Sequence, residues 1–204
     1  MAATATPLAL ERSDFRTVTV SGAKLGVATG VAVVLVVAAS RLVPDVAGLR
    51  GGVEALIVVV AGLAAGFLPG QWTGARTSEG IAGAAAVGLV GTIVFSAIDI
   101  VLLRPFKAYP WTWDAIGGGS TWWYLPVWWM LGTFLAWMGA IVIAGAAARG
   151  DATPVRLAVP VVVATIVLAA VARLSLAVAL PVAAGAAFTV ALAALALVSL
   201  ARKG

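Results

Sequence analysis

Charged residues stand far apart in this chain, and the uncharged runs between them constrain its fold more than any other feature. Residues 25–40 form a run of 16, residues 55–75 one of 21 and residues 115–148 one of 34, while residues 157–201 hold 45 positions with only Arg173 charged. A bilayer's hydrocarbon core is about 30 Å thick and takes about 20 apolar residues of helix to cross. A helix satisfies every backbone N–H and C=O within its own segment, which hydrocarbon demands, so each run reads as a membrane helix. Composition points the same way: 63% of residues are hydrophobic and 10% charged, with a mean hydropathy of +1.12. Soluble domains carry about 25% charged residues, so too little polar material is present to cover a water-exposed surface.

Punctuation residues place the spans at about 22–43, 53–69, 80–103, 126–148, 156–173 and 179–201, behind a polar arm over 1–21. Lys24 and Arg41 can snorkel at the ends of the first span. Pro69-Gly70 is expected to end the second, and Arg104-Pro105 the third, because a residue before proline is biased away from helix. Pro126 and Pro181 suit the first turns of the fourth and sixth. The 45-residue run would make one helix of about 67 Å at 1.5 Å per residue, so it divides into two. A cleaved signal peptide is disfavoured, since its basic region would have to include Glu11 and Asp14. The fold class expected is an all-α integral membrane protein: one six-helix transmembrane bundle over 22–204, with a Trp-rich interfacial or re-entrant segment between the third and fourth helices. Eight Lys/Arg fall on the side holding both termini and five on the other, which favours cytoplasmic termini in a bacterial inner membrane.

The chain has no Cys and no His. The usual iron–sulfur, haem, zinc and copper ligand sets are therefore missing, as are histidine-based nucleophile schemes, and neither a cofactor nor a metal is expected. No Walker A loop, GxGxxG or HExxH motif occurs. The net charge of +5 is scattered along the chain, which fits span-flanking residues and not a nucleic-acid surface.

Helices in lipid associate through close approach of small residues, and several spans carry them at four-residue spacing. Gly22, Gly26 and Gly30 share one face of the first span; Gly62, Gly66 and Gly70 one face of the second; Gly88 of the third and Gly132 of the fourth continue with Ala, Thr and Ser. Such faces serve either packing within the bundle or docking of another membrane chain or a second copy.

Three groups of residues invite a functional reading. Asp99 is the lone acid inside a span, with Arg173 the expected ion-pair partner and Arg104 nearby. Seven of the eight tryptophans lie between Trp111 and Trp137. An aromatic belt at the headgroup level accounts for them, while Trp111, Trp113, Trp122 and Trp123 around Asp114 could instead wall a site for a small lipophilic or cationic ligand. Arg104 and Lys107, near the start of the fourth helix, could hold a lipid phosphate. The functional expectation is a non-catalytic accessory or structural subunit of a larger membrane assembly. Its alternatives are a small-molecule transport or binding subunit using the Trp-rich segment around Asp114, and a membrane-interface enzyme using Asp99 and Asp114 as acid and base.

Overall fold

A computed structural model describes residues 11–105, 124–150 and 153–202, and within them the chain is helical with short connections. The helices are α1 (Phe15–Leu42), α2 (Leu49–Thr73), α3 (Ser78–Ile98), α4 (Tyr124–Ala148), α5 (Pro154–Leu176) and α6 (Leu180–Ala201). A π-helical turn, Asp99–Leu103, extends α3. Counting that extension, six helices among the described residues are long and apolar enough to cross a membrane, as the uncharged runs imply.

The start of α1, the end of α2 and the winding at the end of α3 differ from expectation, each for a local reason, while the third span ends at Leu103, before Arg104-Pro105, as expected. The polar arm is shorter than 1–21, because Asp14 starts α1 at Phe15. Its Oδ2 accepts from the Thr17 N–H at 3.0 Å and its Oδ1 from the Thr17 hydroxyl at 2.7 Å, a side-chain cap on the first turn. α2 does not stop at Pro69-Gly70 but runs on to Thr73. Proline forfeits one backbone hydrogen bond. Here its ring is buried, the Thr73 hydroxyl donates to the Pro69 carbonyl at 3.0 Å, and the helix ends at Gly74 with φ +64°. α3 leaves α-helical geometry at Asp99, where the Arg104 N–H donates to the Asp99 carbonyl at 3.0 Å, five residues back.

α2 is the hub: it packs against α1, α3, α4 and α6. α1 lies on α2 and α3, α4 touches α2, α3 and α6, and α5 is carried on the outside, chiefly by α6. Phe67 of α2, Val142 of α4, Val161 of α5, and Phe188 and Leu192 of α6 form the main buried cluster.

The glycine faces meet inside this bundle. Gly22, Gly26 and Gly30 of α1 lie along α3, where a Cβ on Gly26 would stand 2.6 Å from the Gly91 carbonyl oxygen and one on Gly30 3.3 Å from Ile98. Gly62 and Gly66 receive Phe188 and Leu192 of α6, and Gly70 receives Ala140 and Ile143 of α4. Gly88 faces Gly132 across α3 and α4, with 2.5 Å left between a Cβ on Gly88 and the Gly132 carbonyl oxygen. The tightest crossing joins α2 to α4, where a Cβ on Gly139 would overlap the Gly66 carbonyl.

Overpacking a tight core contact costs about 1–3 kcal/mol. Gly139→Ala should therefore lower the thermal unfolding temperature of the purified protein in detergent. Gly52→Ala, near the start of α2 and with nothing within 4 Å of the added methyl, should leave it unchanged or raise it.

Candidate functional site

The described polar groups gather at the two ends of the bundle, with an apolar cleft between. At one end the Asp99 carboxylate is buried, 3% exposed, and its Oδ2 accepts from the Arg104 Nε–H at 3.1 Å. The π-turn makes this pair. In a regular α-helix, residues five apart point about 140° from one another. Wider winding, with hydrogen bonds spanning five residues, stacks residue 104 over residue 99 and brings guanidinium to carboxylate. The other carboxylate oxygen, Oδ1, is buried and has no hydrogen-bond partner among the described residues.

Arg173, the partner expected for Asp99, stands elsewhere. It is exposed in the last turn of α5, and its Nη1 donates to the Val178 carbonyl at 3.1 Å, tying down the turn into α6. Arg104, which the sequence places beside Asp99 as a second candidate, takes the role instead, because the π-turn brings it onto the same face. Trp111, Trp113, Asp114, Trp122, Trp123 and Lys107 lie outside the described residues.

Below the ion pair, α1 to α4 line a half-open cleft of about 130 Å³. Leu25, Thr29 and Val33 of α1 line it with Ala65 of α2, Gly88, Gly91, Thr92 and Phe95 of α3, and Trp128, Leu131, Gly132 and Leu135 of α4. Its walls are apolar because both threonines turn inward on their own helices: Thr29 donates to the Leu25 carbonyl at 2.9 Å, and Thr92 to those of Gly88 at 3.1 Å and Leu89 at 2.9 Å. Phe95 and Trp128 meet edge to face, centroids 6.2 Å apart. A wider, shallow groove of about 350 Å³ runs along α3 and α4, lined by Leu89, Trp129, Met130, Thr133, Phe134 and Trp137. Among the described residues no cluster of acids suits a metal ion.

At the opposite end, residues 11–14 fasten the turn between α2 and α3. Glu11 Oε1 accepts from the backbone N–H groups of Arg76 at 2.7 Å and Thr77 at 2.6 Å, and its Oε2 accepts from the Thr77 hydroxyl. The Arg12 N–H donates to the Thr73 carbonyl at 2.9 Å, and the Ser13 hydroxyl to Glu79 Oε1 at 2.9 Å. Gly80 and Gly83 leave room for this: a Cβ on either would stand 2.6 Å from Glu11 Oε1 and 2.8 Å from the Ser13 Cβ, respectively. The Thr77 hydroxyl, with the N–H groups of Thr77 and Arg76, holds the Glu11 carboxyl below the ordinary glutamate range. Sequence reading treats this segment as a plain polar arm, and the spacing Glu11-x-Ser13-Asp14 is its one visible signal.

Compared with protein-family models, curated proteins and solved structures, the chain matches none. The functional reading therefore rests on geometry.

Two outcomes test these clusters. In a double-mutant cycle followed by thermal unfolding, Asp99→Asn and Arg104→Gln should couple by about 0.5–3 kcal/mol, whereas Asp99→Asn and Arg173→Gln should add. A carboxyl whose folded pKa is depressed contributes stability in full above its unfolded value, and loses it as pH falls through the folded one. The stability difference between the wild-type chain and Glu11→Gln should accordingly hold steady above about pH 5 and close as pH drops below the ordinary glutamate value of about 4.3.

Proposed function

We propose that the chain is a non-catalytic, multi-pass protein of a bacterial inner membrane, with both termini cytoplasmic, serving as an accessory or structural subunit of a larger membrane assembly. The observation that carries this reading is the outer groove of α3 and α4. Its lining of Trp129, Met130, Phe134 and Trp137 presents large side chains in a concave row, at the end of the aromatic-rich stretch that begins at Trp111. The glycine faces of α1 and α2, which the sequence also offers to partners, are engaged by α3, α4 and α6 of the same chain. Partner docking therefore falls to this groove. The charge placement supports the same role: Asp99 is already held by Arg104, which leaves it poorly suited to acid–base chemistry.

A second reading, a small-molecule binding subunit, is favoured by one observation, the apolar cleft inside α1 to α4.

Native mass spectrometry of the protein gently extracted from its own membrane tests the subunit reading. A stoichiometric partner chain is expected, and Thr133→Trp, which fills the groove, should cut its recovery by roughly tenfold while the bundle stays folded; tenfold in affinity corresponds to about 1.4 kcal/mol of contact. Recovery of the chain alone, or of copies of itself only, would overturn it.

A further inference from the structure

The residues of the π-turn at Asp99–Leu103 fit two windings of the same helix. A hydrogen bond that spans five residues takes up one residue more than an α-turn before the chain returns over the same face. Leu103 is thereby turned inward and buried, while Ile100, Val101 and Leu102 are exposed. Rewound as an α-helix, the end of α3 would carry each later residue one place, about 100°, further round. Leu102 would then take the inward place that Leu103 leaves, and Leu103 the place that Arg104 leaves. Leucine replaces leucine, so the inward contact survives the change. No other described helix packs extensively on the turn, which leaves it room to rewind.

Charge separates the two windings. In the π-turn the buried Asp99 carboxylate faces the Arg104 guanidinium, Oδ2 accepting from Nε–H at 3.1 Å. In the α-helix it would face the Leu103 side chain instead, and a buried charge stripped of its partner is strongly destabilising. No described neighbour replaces Arg104. The other charged residues on helices packed against α3 are Arg16, Lys24 and Arg41 of α1 and Arg50 and Glu54 of α2, none of which pairs with Asp99, and α4 carries none. The π winding has a cost of its own, since Asp99 Oδ1 is buried with no hydrogen-bond partner among the described residues. A charged carboxylate therefore holds the π-turn, and a neutral one removes the reason for it.

We propose that Asp99–Leu103 is a two-state turn operated by the charge on Asp99, π-wound while the carboxylate is charged and α-wound when it is neutral. Rewinding swings Arg104, and the point from which the chain continues past Pro105, about 100° around the α3 axis. The element is bistable in the sense that switching elements require: two discrete packings of one sequence, biased by a single group.

The chain has no cysteine, so single cysteines at positions 102 and 103 report which residue faces inward. The intact protein in liposomes is treated with a membrane-permeant maleimide, and the modified fraction is followed by mass spectrometry. Leu102→Cys is expected to react several-fold faster than Leu103→Cys in the chain carrying Asp99, and several-fold slower when Asp99→Asn is added. A shortened chain supplies the control. Deleting Leu102 brings Arg104 four residues from Asp99, where the two can pair in regular α winding. Leu103→Cys should stay shielded in that chain with either residue at 99. The same order of reaction with Asp99 and with Asp99→Asn would show that the winding does not follow the charge. Faster reaction of Leu103→Cys in the chain carrying Asp99 would show that the turn is not π-wound there. Loss of shielding when Asp99→Asn is added to the shortened chain would show that asparagine loosens the helix without rewinding it. Each of these results overturns the proposal.

Discussion

Backbone-to-backbone approach at glycine is the contact on which the rest of this structure depends. Hydrocarbon solvates leucine as well as another leucine does, so helices in lipid gain little from burying apolar side chains against each other. What remains is dispersion over closely fitted surfaces, and that fit requires side chains small enough to let the backbones meet. Gly66 against Gly139, Gly88 against Gly132 and Gly26 against Gly91 supply three such crossings, joining α2 to α4, α3 to α4 and α1 to α3. Large side chains then fill what the crossings leave open, as Phe188 does over Gly62. α5 carries no such crossing with the other helices and sits at the edge, on α6.

Polar contacts act at the ends of this apolar body. Glu11, Arg12 and Ser13 bind the α2–α3 turn at one end, so that the N-terminal segment, α2 and α3 share one hydrogen-bonded cluster. At the other end the π-turn trades regular helical winding for a carboxylate–guanidinium contact within a single helix. A buried pair of this kind gives little net stability, since desolvation offsets most of its attraction. Its value here is positional: it fixes the Asp99 carboxylate and the Arg104 guanidinium at one end of α3.

The number and order of the helices were legible because they follow from run lengths, a property of the sequence alone. Helix ends were less so. Pro69 reads as a breaker, yet it costs only the one hydrogen bond to the Ala65 carbonyl, and with its ring buried in the bundle the helix runs on for another turn. Of the two candidate partners for Asp99, the sequence favoured Arg173 over Arg104 for a different reason. A π-turn changes which residues share a face, and periodic reasoning assumes that no such turn occurs. The glycine faces could be recognised in the sequence but their partners could not, because every small apolar face looks alike until the neighbours are known. Glu11 shows the converse: a single acid in a polar arm carries no periodic signal, and only the folded α2–α3 turn gives it three donors.

The chain contains no cysteine, so paired cysteines can report helix contacts without background. Leu25→Cys with Gly91→Cys is the most direct choice. A Cβ at position 91 stands 3.2 Å from the Leu25 Cβ, and shortening Leu25 removes the side chain that would obstruct it. That spacing lies just under the usual disulfide range of about 3.5–4.5 Å. Oxidation in native membranes, followed by electrophoresis and mass spectrometry, should give a monomer with the two peptides linked, since the glycine face of α1 packs on α3 of the same chain. A covalent dimer would show that this face meets another chain, and absence of any crosslink would show that α1 and α3 are not neighbours.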